Sequence, residues 1–382
     1  MTRLADDQTV VQRILDHIDH KTTDVSESSW REPVEHYRSE GRLAAELASV
    51  LRRHPVPFCP SAALPQKGSY FARDAGQTPI LAVRGNDGKV RAFRNACRHR
   101  GTQLASGAGC EKAFVCRYHG WTYGLDGSLR HVPHEYGFLG LDKGTRGLVP
   151  VACAERSGLV FVTQDTQAAD ASLDDLPPLM EPHWRLVNTS EREVPANWKI
   201  LVEGFLEGYH IRSTHPQTFF PLQFDNLNVV ETFGRNSRVA YPYQAINKLR
   251  ALPPAEWSVE GKLTYVYHLF PNAMVATFPA SRFLVVLEPL AIDRTLLITY
   301  VLAKPGDGDR PTDASTQPAG TRGLDLVDAG AAEDRAVACA IQRGLASGAN
   351  EFFEFGRFEG AIGHFHRALR AAIDGTPWQE RG

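Results

Sequence analysis

The 382-residue chain lacks any marked excess of charge: 42 Lys and Arg stand against 44 Asp and Glu, for a net charge of −2. That balance offers nothing to nucleic acid or to an anionic membrane. No apolar run approaches the ~20 residues of a membrane span. The start, Met1-Thr2-Arg3-Leu4-Ala5-Asp6-Asp7, has no apolar core of a signal peptide. Cysteine is sparse: six residues, at 59, 97, 110, 116, 153 and 339, form no disulfide framework. A reducing cytoplasm is the expected location. Cys110 reads as a small loop residue rather than a disulfide partner. Also missing are a G-x-G-x-x-G after a strand and a plant-type C-x₄-C-x₂-C. Neither a dinucleotide-binding turn nor a plant-type ferredoxin cluster is therefore expected within the chain. With 43% hydrophobic and 23% charged residues it is ordinary globular material. Its length suits two domains of about 100–200 residues each.

Against these absences stands one dense motif. Cys97-Arg98-His99-Arg100-Gly101 and Cys116-Arg117-Tyr118-His119-Gly120-Trp121 give C-x-H, sixteen residues, C-x-x-H. Each half carries one thiolate and one imidazole, so two halves can grip a two-iron cluster from opposite sides. Two Cys on one iron and two His on the other define a Rieske [2Fe–2S] centre. Neutral imidazole in place of thiolate removes negative charge and raises the potential to roughly −150 to +300 mV. Two Cys and two His also make a tetrahedral zinc site. Zinc fingers, however, usually pair Cys with Cys and His with His. Gly101 and Gly120 allow tight loop backbones beside the sulfide.

Apolar spacing makes residues 1–55 a largely helical N-terminal segment, with Val11, Ile14, Leu15 and Ile18, then Leu43, Leu47, Val50 and Leu51, at helical intervals. Short strands follow over 56–165. Ile80–Val83 and Val90–Phe93 flank Gly85-Asn86-Asp87-Gly88 as a hairpin, and the cluster motif falls on loops of a small all-β domain. Residues 166–190 form an Asp- and Pro-containing connector. A second domain, 191–382, begins with a helix near 197–212, continues with strands such as 264–269, 283–287 and 296–302, and ends with helices at about 324–346 and 357–374. An exposed loop is expected at 304–323.

An electron relay needs somewhere to deliver. His210 lies near a helix end, and Pro216 disfavours helical geometry at His215. Two His so close can take adjacent positions on one metal. A carboxylate would complete a 2-His-1-carboxylate triad, the site of non-haem Fe(II) oxygenases. Asp334 is the candidate, since it shares a helix face with Val337, Ile341 and Leu345, where a carboxylate is costly unless paired or metal-bound. Glu333, about 100° to one side where solvent is expected, remains the alternative. His364 and His366, two residues apart, read as structural or surface residues. Phe219, Phe220, Phe224, Phe270, Phe278 and Phe283, with Asn226, Asn228 and Asn272, could line an aromatic pocket or cage a quaternary ammonium; core packing explains most of them.

Both motifs, in this order and over about residues 56–375, resemble the α subunit of Rieske non-haem iron oxygenases, which include aromatic-ring-hydroxylating dioxygenases and related monooxygenases and demethylases. The resemblance implies an α+β fold: a Rieske domain plus a helix-grip catalytic domain, an antiparallel sheet wrapped around a long helix. It implies a homotrimer in which the cluster of one subunit serves the iron of its neighbour. Cys97, Cys116, His99 and His119 match the cluster ligands, and His210, His215 and Asp334 the iron ligands. Glu207 matches the acid that bridges a cluster His to an iron His of the next subunit. The implied cofactors are a Rieske [2Fe–2S] cluster and mononuclear Fe(II). The implied partners are an NAD(P)H-dependent flavin reductase, with or without a ferredoxin, together with O₂ and a small organic substrate. Gly204 follows Glu203 where many relatives have Asn. The stretch Glu333 to Leu345 is similar to the branch that includes choline- and carnitine-type monooxygenases. The Phe content favours hydroxylation of an aromatic or cyclic compound, with oxidative demethylation of a quaternary amine or methyl ether as the alternative. A Rieske electron carrier without oxygenase activity is the reading from another class; about 200 residues beyond the cluster domain speak against it.

Overall fold

The computed structural model describes residues 4–165, 173–304 and 319–379, with side chains of the last long helix from residue 326 onward. Two compact units result: Leu51–Leu186, and Met1–Val50 together with Val187–Gly382. The expected connector (at 166–172) and the expected loop (at 305–318) lie partly outside the described residues. Among the described residues, no helix is long and apolar enough to cross a membrane.

The first unit is built on a seven-stranded sheet in the order Val56–Pro60, Leu159–Thr163, Pro150–Arg156, Val90–Arg94, Thr78–Arg84, Ser69–Ala75 and Gly107–Cys110. The expected hairpin forms, with Ile80 opposite Arg94 and Arg84 opposite Val90. Ser157 and Gly158 both take positive φ (51° and 77°), the geometry a two-residue hairpin turn requires. Cys110 is an exposed free thiol at the end of an edge strand. A small sheet, Phe114–Val115, Thr122–Tyr123 and Leu129–His131, carries the second half of the cluster motif.

The second unit centres on a sheet of seven strands: Arg185–Val194, Arg294–Ala303, Ser281–Ala291, Ala273–Thr277, Leu263–Leu269, Asn236–Pro242 and Val229–Phe233. Alternate residues of one face, among them Val239, Tyr241, Val266, Met274, Val285 and Leu287, pack into one core with Trp198, Val202, Phe365 and Leu369. Those last four come from helix α3 (Trp198–Gly204) and helix α6 (Gly360–Asp374). Trp198 and Phe365 meet edge to face at 5.7 Å. Period-2 burial along the strands against period-3.6 burial along the helices makes this core.

The N-terminal segment departs from the helical reading. Helices α1 (Asp7–His20) and α2 (Glu40–Glu46) form, each with a side-chain N-cap from Asp6 and Ser39. Between them Trp30–Pro33 is a strand paired with Phe352–Phe355. Pro33 cannot donate within a helix, and the strand's partner is more than 300 residues away. Residues Met1–Val50 are thus part of the second unit. The last long helix, α5 (Ala319–Leu345), begins before the expected 324. The 197–212 helix is two pieces: α3 stops at Gly204, and a four-residue helix α4 (Ile211–Thr214) follows a turn.

Candidate metal centres

The two halves of the Cys/His motif close in the same way. Cys97 N–H donates to Thr102 O and Gly101 N–H to Cys97 O. Cys116 N–H donates to Trp121 O and Gly120 N–H to Cys116 O. Gly101 and Gly120 take φ of 80° and 72°, which a side chain would resist. Each loop therefore presents its Cys and His on one side of a tight ring. Both thiols are buried, and the His99 and His119 rings lie 4.6 Å apart. Trp121 stacks on His99 at 5.0 Å. Burial, then the neighbouring His119 and Arg100, push the His99 pKa down, which keeps it a neutral ligand. Burial opposes thiolate at Cys116, but N–H groups of Tyr118 and His119 outweigh it and lower its pKa. His99 Nδ1 is buried with no hydrogen-bond partner. Two thiols, two imidazoles and one orphaned ring nitrogen on adjoining loops fit a two-iron cluster.

Sequence spacing did not single out Tyr123. Its hydroxyl accepts from Arg98 N–H at 2.9 Å and lies 3.3 Å from Cys97 Sγ. The signal was its place in the small strand that follows the second loop.

In the second unit His210 is the N-cap of α4 and His215 its C-cap, so a single helical turn sets the two rings side by side, 5.1 Å apart. Glu207 makes the entry turn. Its carboxylate accepts from Tyr209 N–H, from His210 N–H at 3.1 Å and from His210 Nδ1. Asp334 arrives on α5, its Oδ1 3.5 Å from His210 Nε2 and 2.8 Å from His215 Nε2. One ligand atom from each of His210, His215 and Asp334 lies within 4.8 Å of the others. His215 Nε2 is fully buried and makes no hydrogen bond despite its closeness to Asp334. An electron-pair donor aimed into a carboxylate fits a cation between them. Burial opposes the charged form of both imidazoles, but Glu207 at His210 and Asp334 at His215 raise the pKa of each above the ordinary value.

Glu333, expected toward solvent, keeps 34% of its side chain exposed, yet its carboxylate reaches back to the site. It accepts from His215 Nδ1 at 2.7 Å and from Thr218 Oγ1 at 2.6 Å. The apolar face was also misplaced. Val337 and Ile341 are 42% and 39% exposed, whereas Ala338 and Leu345 are buried. The buried positions of the described part of the helix are Gly330, Ala338 and Leu345, small or apolar residues on the same side as Asp334. His364 and His366 are both buried; His366 Nε2 donates to Glu203 at 2.9 Å, which removes the surface reading.

Asn197-Trp198-Lys199 anchors α3. Asn197 caps the helix through Lys199 N–H and donates to Ile292 O. Trp198 Nε1 and Lys199 Nζ both reach Glu46, at 2.9 Å each. The Lys199–Glu46 pair is fully buried, so loss of either partner would strand a charge.

Residues 180–375 match the ring hydroxylating alpha subunit (catalytic domain) family, and residues 54–142 the Rieske [2Fe-2S] domain. The chain is a Rieske oxygenase α subunit. Among curated relatives, the carnitine monooxygenase oxygenase subunit of Acinetobacter pittii is 30% identical over 279 residues, 69% of this chain and 73% of the relative. The glycine betaine monooxygenase oxygenase subunit of Chromohalobacter salexigens is 35% identical over 48% of this chain and 43% of the relative. Choline monooxygenase of Beta vulgaris is 27% identical over 81% and 69%. The fold of this Rieske oxygenase matches that of the quaternary ammonium Rieske monooxygenase CntA in complex with L-carnitine (TM-score 0.75, 23% identity, 97% of this chain and 99% of that one). It also matches naphthalene 1,2-dioxygenase from Rhodococcus sp. (TM-score 0.73, 19% identity, the same coverage). As in its family, the cofactors of this Rieske oxygenase are a Rieske [2Fe–2S] cluster and a mononuclear non-haem iron.

Proposed function

We propose that this chain is the terminal oxygenase of a multicomponent monooxygenase that acts on a quaternary ammonium compound. The carrying observation is that carnitine, glycine betaine and choline monooxygenases are all among its curated relatives.

Cys97, Cys116, His99 and His119 hold the cluster in this reading, and His210, His215 and Asp334 hold the iron. Iron supplies the activation of O₂. The protein's residues position, orient and exclude water. Glu207 fixes the His210 ring and links it to a cluster His of the neighbouring subunit in a homotrimer. A separate NAD(P)H-dependent reductase provides the electrons. One oxygen atom enters a C–H bond beside the cationic nitrogen, and the other leaves as water with two electrons and two protons. The resulting carbinol loses its O–H proton to solvent as its C–N bond breaks, and the bonding pair leaves with nitrogen, giving an aldehyde and a tertiary amine.

The test is a single turnover of the reduced protein under ¹⁸O₂ with carnitine, betaine and choline beside aromatic acids, read by mass spectrometry. Labelled product from the quaternary amines is expected. Product from the aromatic acids alone would replace this reading with the aromatic one, which has in its favour the Phe219 ring packed 4.6 Å from His215. No product from a protein with three irons per chain and a reducible cluster would exclude both substrate classes.

A further inference from the structure

We propose that Glu333 is the positioning residue of His215, holding its imidazole in the tautomer and plane that aim Nε2 at the iron. The inference rests on the assignment of His210, His215 and Asp334 to the iron. Glu333 and Asp334 are consecutive on α5, so their side chains diverge by about 100° around the helix. The His215 ring lies in that fork. Nε2 is 2.8 Å from Asp334 Oδ1, and Nδ1 is 2.7 Å from Glu333 Oε2. His215 is fully buried, so an Nδ1–H without an acceptor would be costly. Glu333 supplies that acceptor. A carboxylate on the outer nitrogen fixes which nitrogen faces the metal and raises its basicity.

The carboxylate is itself held. Thr218 Oγ1 donates to the same Oε2 at 2.6 Å. Thr218 is fixed by the turn after α4, where Phe220 N–H donates to His215 O at 3.0 Å. The clamp runs from Thr218 through Glu333 to His215. Glu207 does the same for His210 at its Nδ1, so each imidazole has its own outer carboxylate. Glu333 is not an alternative ligand in this geometry: it lies on the Nδ1 side of His215, whereas Asp334 approaches Nε2 of both rings.

The experiment titrates the full-length protein, cluster assembled, with a ferrous chelator and reads retained Fe(II). The visible absorbance of the cluster reports that the chain is folded. Glu333→Gln is expected to bind Fe(II) about 10–100-fold more weakly with the cluster spectrum unchanged. Thr218→Val should weaken binding in the same direction but less, and Asp334→Asn should lose the ion. If E333Q holds Fe(II) within about twofold of the parent while D334N loses it, Glu333 has no positioning role and the proposed iron site still stands. If E333Q loses the ion and D334N keeps it, Glu333 is a ligand, and both the clamp and the assignment of Asp334 fall. Should E333Q fail to fold, T218V decides: weaker Fe(II) binding upholds the clamp and unchanged binding overturns it.

Discussion

The Tyr123 hydroxyl accepts from Arg98 N–H and so directs its own proton to Cys97 Sγ, 3.3 Å away. Burial, followed by the neighbouring Cys97, pushes its pKa upward, which keeps that proton in place. Hydrogen bonds to cluster sulfur are one of the terms that set a Rieske potential. A donor stabilises the reduced, more negative cluster more than the oxidised one. Tyr123→Phe is therefore expected to lower the cluster potential. If the bond is worth about 1 kcal/mol more in the reduced state, the drop is about 40 mV for one electron. Spectroelectrochemical titration of the visible cluster bands measures it, and an unchanged potential would mean the hydroxyl serves the loop backbone alone. Sequence spacing was informative where ligands are local: each Cys and its His sit within one loop, and His210 and His215 bracket one helical turn. Tyr123 was opaque because its role depends on which way a two-residue strand faces.

At the scale of elements, α5 positions two acids against one imidazole, and its register is kept by Gly330. A Cβ at Gly330 would stand 2.2 Å from the Phe219 ring, and Phe219 packs on His215 at 4.6 Å. Gly330→Ala would gain about 1 kcal/mol in helix propensity. Against that, the Phe219 ring must move, and overpacking costs about 1–3 kcal/mol. Net destabilisation with weaker Fe(II) binding is expected, and Phe219→Leu in the same chain should recover both; melting temperature and chelator titration of the single and double variants check it. Additive effects of the two changes would show that they do not communicate. Helix periodicity located α5 but not its inward face, because Val337 and Ile341 are the more apolar residues and are nonetheless exposed. The Trp30–Pro33 strand was hidden for a related reason: its pairing with Phe352–Phe355 is a long-range property, and local periodicity reports only local structure. The catalytic sheet was more legible, since runs such as Leu263–Leu269 and Arg294–Ala303 are long and β-branched or aromatic.

At the scale of the whole molecule, the proposed trimer makes a demand that no single chain can meet. If electrons pass from the cluster of one subunit to the iron of the next, the two centres can be disabled on different chains. Cys116→Ala removes a proposed cluster ligand and leaves the iron residues; His210→Ala does the reverse. Each variant alone should be inactive. Co-expressed with different affinity tags and purified through both, they form mixed trimers. In a closed ring, an active junction needs a cluster-intact donor beside an iron-intact acceptor. Random mixing places that order at about one junction in four, so about a quarter of the parent turnover is expected in an unfractionated mixture. Purification through both tags enriches mixed rings, and one junction in three is then the expected share, about a third of parent turnover. Transfer within a single subunit predicts none, because no chain then holds both centres. The contrast between a third and zero is wide enough to survive imperfect mixing, and the proportion of each chain in the purified sample can be measured by intact mass. Turnover near zero from properly mixed rings would confine electron transfer to one subunit and remove Glu207 from its bridging role, leaving it only the orientation of His210.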